Sequence, residues 1–352
     1  MQPRHEITAV YQVKAKSMKQ AAIAIARGQS IGNPNIKASY ETKKLAKHHE
    51  ATWEILEPGL IKINYPLKNF RKQGFNYMMS VLMGGQCDID MIQECRLVDL
   101  DLGLWEQEWA GPRWGVDGVR KELGVYGRPL IGAIIKPKVG LKPIQIADIA
   151  KQMADGGVDF IKEDEIQNNQ PFCPIHKRVP VVAKALESYK TIYTVCVTGD
   201  GTETWKQARK AVRAGATAVH ANIWGSIGQY RDLYEHVKAP LFFQKSGDKV
   251  WTTGKYSIDY AIICKLISLA GCDFAHVGMY GGYMADTVGD LEKRIKALGK
   301  TIPSFSCGMN PELATQIKGL FGNDVMLTSG GWVCGYPGGI TQAVKMLREA
   351  IA

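Results

Sequence analysis

No run of about 18 apolar residues occurs in the chain, so no segment reads as a membrane-spanning helix. The opening stretch Met1–Gln20 is basic but lacks the apolar core of a secretory leader. No Cys-x-x-Cys pair occurs. The eight cysteines (Cys87, Cys95, Cys173, Cys196, Cys264, Cys272, Cys307 and Cys334) are scattered, which argues against a zinc ribbon or a disulfide frame. They read as reduced thiols in a cytoplasmic protein. No Gly-x-Gly-x-x-Gly follows a first strand, so a doubly wound dinucleotide-binding fold is the weaker candidate. Recognition-helix motifs and basic strands interleaved with aromatics are also missing, and no nucleic-acid or membrane partner is expected.

What is present is an ordinary globular composition, 45% hydrophobic and 22% charged over 352 residues, which excludes wholesale disorder. Lys and Arg number 44 against 34 Asp and Glu, a net charge of +10. The basic residues are spread along the chain, with local clusters only at Lys43-Lys44-Lys47 and from Lys206 to Arg213. Such a field suits an anionic small substrate better than a polyanion.

Two regions differ in rhythm. The first 115 or so residues give an irregular series: a strand at His5–Val13, a helix at Met18–Arg27, strands at Thr52–Leu56 and Leu60–Tyr65, an amphipathic stretch at Phe75–Met83 and a strand at Cys95–Leu102. That order predicts a small α+β, ferredoxin-like domain over 1–115, with Gly111-Pro112 as the boundary signal. From Arg128 onward short β-branched runs recur: Leu130–Ile135, Val158–Ile161, Ile192–Val197, Ala218–Asn222, Leu241–Phe243, Phe274–Val277, Ile302–Phe305 and Val325–Thr328. Helical stretches such as Trp205–Ala214 and Asp259–Ala270 separate them, and one at Thr341–Ile351 closes the series. Eight strand–helix units predict an α/β fold of the TIM (β/α)8 barrel type over 116–352.

In such a barrel the chemistry sits where strands end. Those ends carry Lys136-Pro137-Lys138, Lys162-Glu163-Asp164-Glu165, Thr198-Gly199-Asp200, Asn222, Gln244-Lys245-Ser246, His276, Ser306-Cys307-Gly308 and Ser329-Gly330-Gly331. Any one of these could be a solvated loop residue, but polar or glycine residues at all eight ends describe a site. Asp164 and Glu165 offer hard oxygen ligands suited to Mg²⁺. Lys162 has two readings: an ion pair with Glu163, which composition alone favours, or a lysine that takes up CO2 and becomes an anionic third ligand. Ser306, Gly308, Gly330 and Gly331 follow the last two strands, where barrels of this type hold phosphate on backbone N–H groups.

At these residues the chain resembles the RuBisCO large-subunit superfamily. The likeness lies in GPRWGVDGVRKELGVYGRPLIGAIIKPKVGL (111–141), GGVDFIKEDEIQNNQPF (156–172), AGCDFAHVG (270–278), SFSCG (304–308), TSGGWVCGYPGG (328–339) and AIARGQSIG (24–32), and it spans essentially the whole chain. The resemblance implies that Lys162 is the carbamylated lysine, with Asp164 and Glu165 as co-ligands of one Mg²⁺ per site. It implies that Lys136 is the enolising base and Lys138 its neighbouring active-site lysine. His276, Ser306, Gly308, Gly330 and Gly331 fall on substrate- and phosphate-binding positions. It further implies a homodimer or a multiple of dimers. On this ground the carbamate reading of Lys162 displaces the ion pair.

The departures point away from carboxylation. After the sixth barrel strand the family's carboxylases carry a lysine that steadies CO2; here the segment is VGMYGGYMAD, with Tyr283 at that place. After the fifth strand Gln244-Lys245-Ser246 replaces a His-Arg run, leaving Lys245 as the phosphate contact. In the N-terminal domain Asn33-Pro34 replaces a Thr-Trp phosphate contact, and Gly85 falls near a metal-assisting asparagine. The pattern is similar to that of non-carboxylating RuBisCO-like proteins. It implies a Mg²⁺-dependent enolase or isomerase that acts on a phosphorylated keto compound through an enolate held at the carbamylated-lysine centre. The alternatives are a divergent carboxylase, a decarboxylase of a phosphorylated oxo acid, and a non-catalytic binding or regulatory descendant. The retained metal-and-base set argues against the last.

Overall fold

The structure, a computed structural model, describes residues 5–352; the first four residues of the stretch Met1–Gln20 lie outside them. The strands among the described residues are β1 (Glu6–Ala15), β2 (Thr52–Glu57), β3 (Leu60–Pro66), β4 (Ile92–Asp101), β5 (Leu130–Ile134), β6 (Phe160–Lys162), β7 (Ile192–Cys196), β8 (Ala218–Asn222), β9 (Leu241–Gln244), β10 (Tyr256–Ile258), β11 (Phe274–Gly278), β12 (Ile302–Phe305) and β13 (Met326–Ser329). Two compact units form: residues up to Ala110 with Gly247–Leu266, and Gly111–Ser246 with Ile267–Ala352.

The first unit is a five-stranded sheet in the order β10-β4-β1-β3-β2. Alternation on β1 sends Ile7, Ala9, Tyr11 and Val13 into its core, opposite Ile61, Ile63 and Tyr65 of the antiparallel β3. The alanine-rich helix Met18–Gly28 begins at Ser17, whose hydroxyl accepts from Gln20 N, and packs Ala21, Ala22 and Ile25 inward. Every residue of β2 is exposed. One expectation is corrected here. The segment 247–266, assigned from sequence to the barrel domain, clusters with the first unit. The reason is edge pairing: β10 runs parallel to β4, with Cys95 N donating to Lys255 O and Asp259 N to Leu97 O, both at 2.8 Å. A three-residue strand is too short for periodicity to reveal. A helix at Lys43–His49, read from sequence only as a basic cluster, also forms there.

The second unit is the expected closed barrel, β5-β6-β7-β8-β9-β11-β12-β13, all parallel. Each strand contributes one side chain to an apolar floor: Leu130, Phe160, Ile192, Ala218, Phe242, Phe274, Ile302 and Met326. The floor is sealed by Val119 and Leu123 of the helix Gly115–Leu123. Two residues further along each strand, alternation brings a second layer to the same face: Gly132, Lys162, Thr194, His220, Gln244, His276, Ser304 and Thr328. No member of that layer is a hydrophobic side chain. Among the described residues no helix is long and apolar enough to cross a membrane.

Candidate active site

The end of β6 sorts its charged residues by parity. Lys162 lies on the lumen face, fully buried, with Nζ donating to the Glu163 carbonyl at 3.1 Å and standing 5.4 Å from the centre of the Phe242 ring. Glu163 points the other way. Its carboxylate takes both arms of Arg178 at 2.7 and 2.8 Å, the Tyr193 hydroxyl at 2.6 Å and the Cys196 N–H at 3.1 Å. The composition-based ion pair between Lys162 and Glu163 is therefore not formed, because adjacent strand residues face opposite sides. Burial, the largest influence, pushes the Lys162 ammonium below the ordinary lysine range, against the pull of Glu165, Cys196 and Asp164.

Asp164 is buried and ion-paired with Lys136, and its second oxygen accepts from Ile166 N at 3.3 Å. Burial alone would raise its carboxyl; the hydrogen bond and charge of Lys136 outweigh burial and hold it below the usual carboxylate range. Glu165, half-buried, accepts from the Ser246 hydroxyl at 3.0 Å, and Ser246 accepts in turn from Gln244 at 2.6 Å. Lys136 is about one-quarter exposed, at 24%. A Cβ on Gly330 would stand 3.1 Å from Lys136 Cε, so glycine leaves the room that this lysine uses.

The remaining residues singled out from sequence fall as follows. Lys138 is exposed on the loop after β5. His276 and Lys245 are buried, and the His276 ring meets the Phe242 ring edge-on at 4.7 Å. Ser306 and Gly308 are half-buried; Gly308 has φ 97° and approaches Gly282 too closely for a side chain. Backbone bonds Tyr283 N to Cys307 O, at 3.2 Å, and Ser306 N to Gly278 O, at 3.4 Å, tie the loops after β11 and β12 together. The Tyr283 side chain, 87% exposed, is directed to solvent. Gly330 and Gly331 open a short helical turn after β13.

Sequence reasoning missed Thr194, His220 and Phe242, which lie within strands rather than at their ends. The signal was available in the alternation from Phe160, Ile192, Ala218 and Phe242. Among the described residues no group of three His, Cys, Asp or Glu side chains could hold a metal ion. Asp164 and Glu165 supply two carboxylates, and a third anionic ligand would have to be of another kind.

The catalytic-domain model of the ribulose bisphosphate carboxylase large chain matches residues 115–352, and the N-terminal-domain model matches 2–103. The chain belongs to this family. Among similar family members, an uncharacterized ribulose bisphosphate carboxylase-like protein of Bordetella bronchiseptica is 31% identical, over 82% of this chain and 74% of its own. A ribulose bisphosphate carboxylase of Pyrococcus furiosus is 28% identical over 95% of this chain and 85% of its own. A 2,3-diketo-5-methylthiopentyl-1-phosphate enolase of Bacillus cytotoxicus is 29% identical over 83% and 74%. Among solved structures, the octameric Rubisco of Pyrococcus horikoshii superposes with a TM-score of 0.90 at 25% identity, covering 100% of this chain and 88% of its own. The likeness extends to both carboxylating and RuBisCO-like members, and it marks the chain as a member of an enzyme family.

Proposed function

We propose that this RuBisCO family member is an enolising enzyme rather than a carboxylase, and that it removes or moves a C–H proton next to the carbonyl of a phosphorylated keto compound. The observation that carries the reading is the convergence of Lys162, Asp164 and Lys136 at adjoining strand ends, set against an exposed Tyr283 where the family's carboxylases carry a lysine. The donor set fits one Mg²⁺. Asp164 and Glu165 would hold it, and Lys162, once carbamylated by CO2, would add the third oxygen ligand that the His, Cys, Asp and Glu side chains do not provide. Bound there, the metal would polarise a substrate carbonyl and acidify the neighbouring C–H.

The chain's own residues do the rest. Lys136 moves the proton, with Gly330 leaving it room and Asp164 fixing its position in the resting chain. His276, with Phe242 against its ring, orients the substrate, and Lys138 sits at the entrance. Ser306, Gly308, Gly330 and Gly331 take a phosphate on backbone N–H groups and a hydroxyl. Lys245 supplies a positive charge, but the altered loop around it favours a substrate with one phosphate. We further propose a cytoplasmic homodimer, or a multiple of dimers, in keeping with eight free thiols and with solved relatives described as dimeric or octameric.

Carboxylation needs a cation over CO2 as charge builds on its oxygens. A phenol in place of an ammonium should cost about 10²–10³ in rate or more. The archaeal carboxylase relatives favour a second reading, a divergent carboxylase. Labelled CO2 supplied with ribulose 1,5-bisphosphate, beside deuterium exchange into phosphoketoses and phosphorylated keto acids, separates the two. Exchange without incorporation is expected. Robust incorporation would overturn the enolising reading.

A further inference from the structure

Among the buried polar atoms of the second layer that make no hydrogen bond are Oγ1 of Thr194 and both ring nitrogens of His220. Thr194 and His220 are each 0% exposed. An unsatisfied polar atom in a protein interior is costly, and native structures rarely leave several together. Both residues are neighbours of Lys162, whose charge also acts on His220. Thr194 is the register partner of Lys162 across β6 and β7, and His220 stands on β8 two residues beyond Ala218, the partner of Thr194. Phe242 forms the floor beneath them, its ring centre 5.4 Å from Lys162 Nζ and 6.2 Å from the centre of the His220 ring. The Glu163 carbonyl that accepts from Nζ also lies close to the His220 imidazole. A neutral imidazole has one N–H to give.

We propose that Thr194 and His220 hold the carboxylate that Lys162 acquires from CO2, each donating a hydrogen bond to its oxygens. This deepens the carbamate reading above and rests on it. In the step itself the amine lone pair forms an N–C bond to CO2. One C–O π pair moves onto oxygen, and the nitrogen releases one proton to water, so the product is an anion. Its two oxygens appear just beyond Nζ, in the layer where a hydroxyl and an imidazole N–H are unpaired. Nothing in the apolar floor could serve them. A hydroxyl and a neutral imidazole satisfy an anion without adding a charge that would expel the metal.

The test follows the modification directly, by ¹³C NMR of the carbamate in protein titrated with ¹³C-bicarbonate at fixed Mg²⁺. The wild-type protein should show the resonance and Lys162→Ala should not. Thr194→Val and His220→Phe should each need about tenfold more CO2 for half-occupancy, the loss of one hydrogen bond to a charged group. Thr194→Ser and His220→Gln, which keep a donor, should return towards the wild-type value. Half-occupancy unchanged in folded Thr194→Val and His220→Phe would overturn the proposal. If His220→Phe fails to fold, the near-isosteric Thr194→Val and the donor-keeping His220→Gln decide it. A missing wild-type resonance, or one that survives Lys162→Ala, would instead overturn the carbamate reading itself, and this proposal with it.

Discussion

At the scale of single residues, Lys162, Asp164 and Glu165 should be separable by what their loss removes. Lys162→Ala should abolish activity and weaken Mg²⁺ binding by more than the 10–100-fold typical of an outer partner, because a direct ligand is lost. Asp164→Ala should do the same and also leave Lys136 without its ion-pair partner. Isothermal titration with Mg²⁺ in bicarbonate buffer reads both, and full metal affinity in Lys162→Ala would return that lysine to a structural role. Gly330→Ala is a finer probe. Its backbone φ of −117° tolerates alanine, but the new Cβ would stand 3.1 Å from Lys136 Cε and press on the proposed base. Turnover should fall while the melting temperature barely moves. Equal losses in both would mean that the glycine serves the fold.

At the scale of elements, β6 and the helix Ile175–Ala185 are joined by one buried ion pair, Glu163 with Arg178, both side chains fully buried. Breaking such a pair strands a charge and typically costs about 3–5 kcal/mol. Arg178→Met should therefore lower stability by that order in urea unfolding, far more than removal of the exposed pair Lys206–Glu203. Because Glu163 stands between Lys162 and Asp164, the same pair fixes which face each of them takes. A loss of stability below about 1 kcal/mol would show that Glu163 finds other partners or water in the variant.

At the scale of the whole molecule, two fully buried imidazoles make folding sensitive to pH. Burial first, then nearby lysines, hold His220 and His276 well below the ordinary imidazole value of 6.5. As pH falls past 6.5 the unfolded chain takes up protons that the folded chain refuses, so stability present above that pH is lost below it. Each histidine should remove about 1.4 kcal/mol per pH unit. Urea unfolding at pH 7.5 and 5.5, without Mg²⁺ or bicarbonate, should show the drop, and His220→Phe should reduce it by about half, leaving the part due to His276. Equal stability at both pH values would place these rings in contact with water. Light scattering should show a dimer or larger; an active, monodisperse monomer would contradict the proposed assembly.

The sequence by itself determined the barrel, because eight β-branched runs separated by helical periods allow few other closed arrangements. It also determined which residues stand at the strand ends, since Lys136, Asp164, Ser306 and Gly330 each follow an apolar run that must be buried. It could not settle which way each strand-end side chain points. Lys162 and Glu163 are neighbours in sequence, and only the register of β6 between β5 and β7 sends one into the lumen and the other to Arg178. Nor could periodicity find β10, a three-residue strand whose existence depends on the open edge of β4. Thr194 and His220 escaped for a related reason. A polar residue inside a strand reads as an interruption until eight strands close and their interruptions line up as one layer. Local pattern fixes the elements, because it follows from backbone geometry and apolar burial. Proximity between residues far apart in the chain exists only once the barrel has closed.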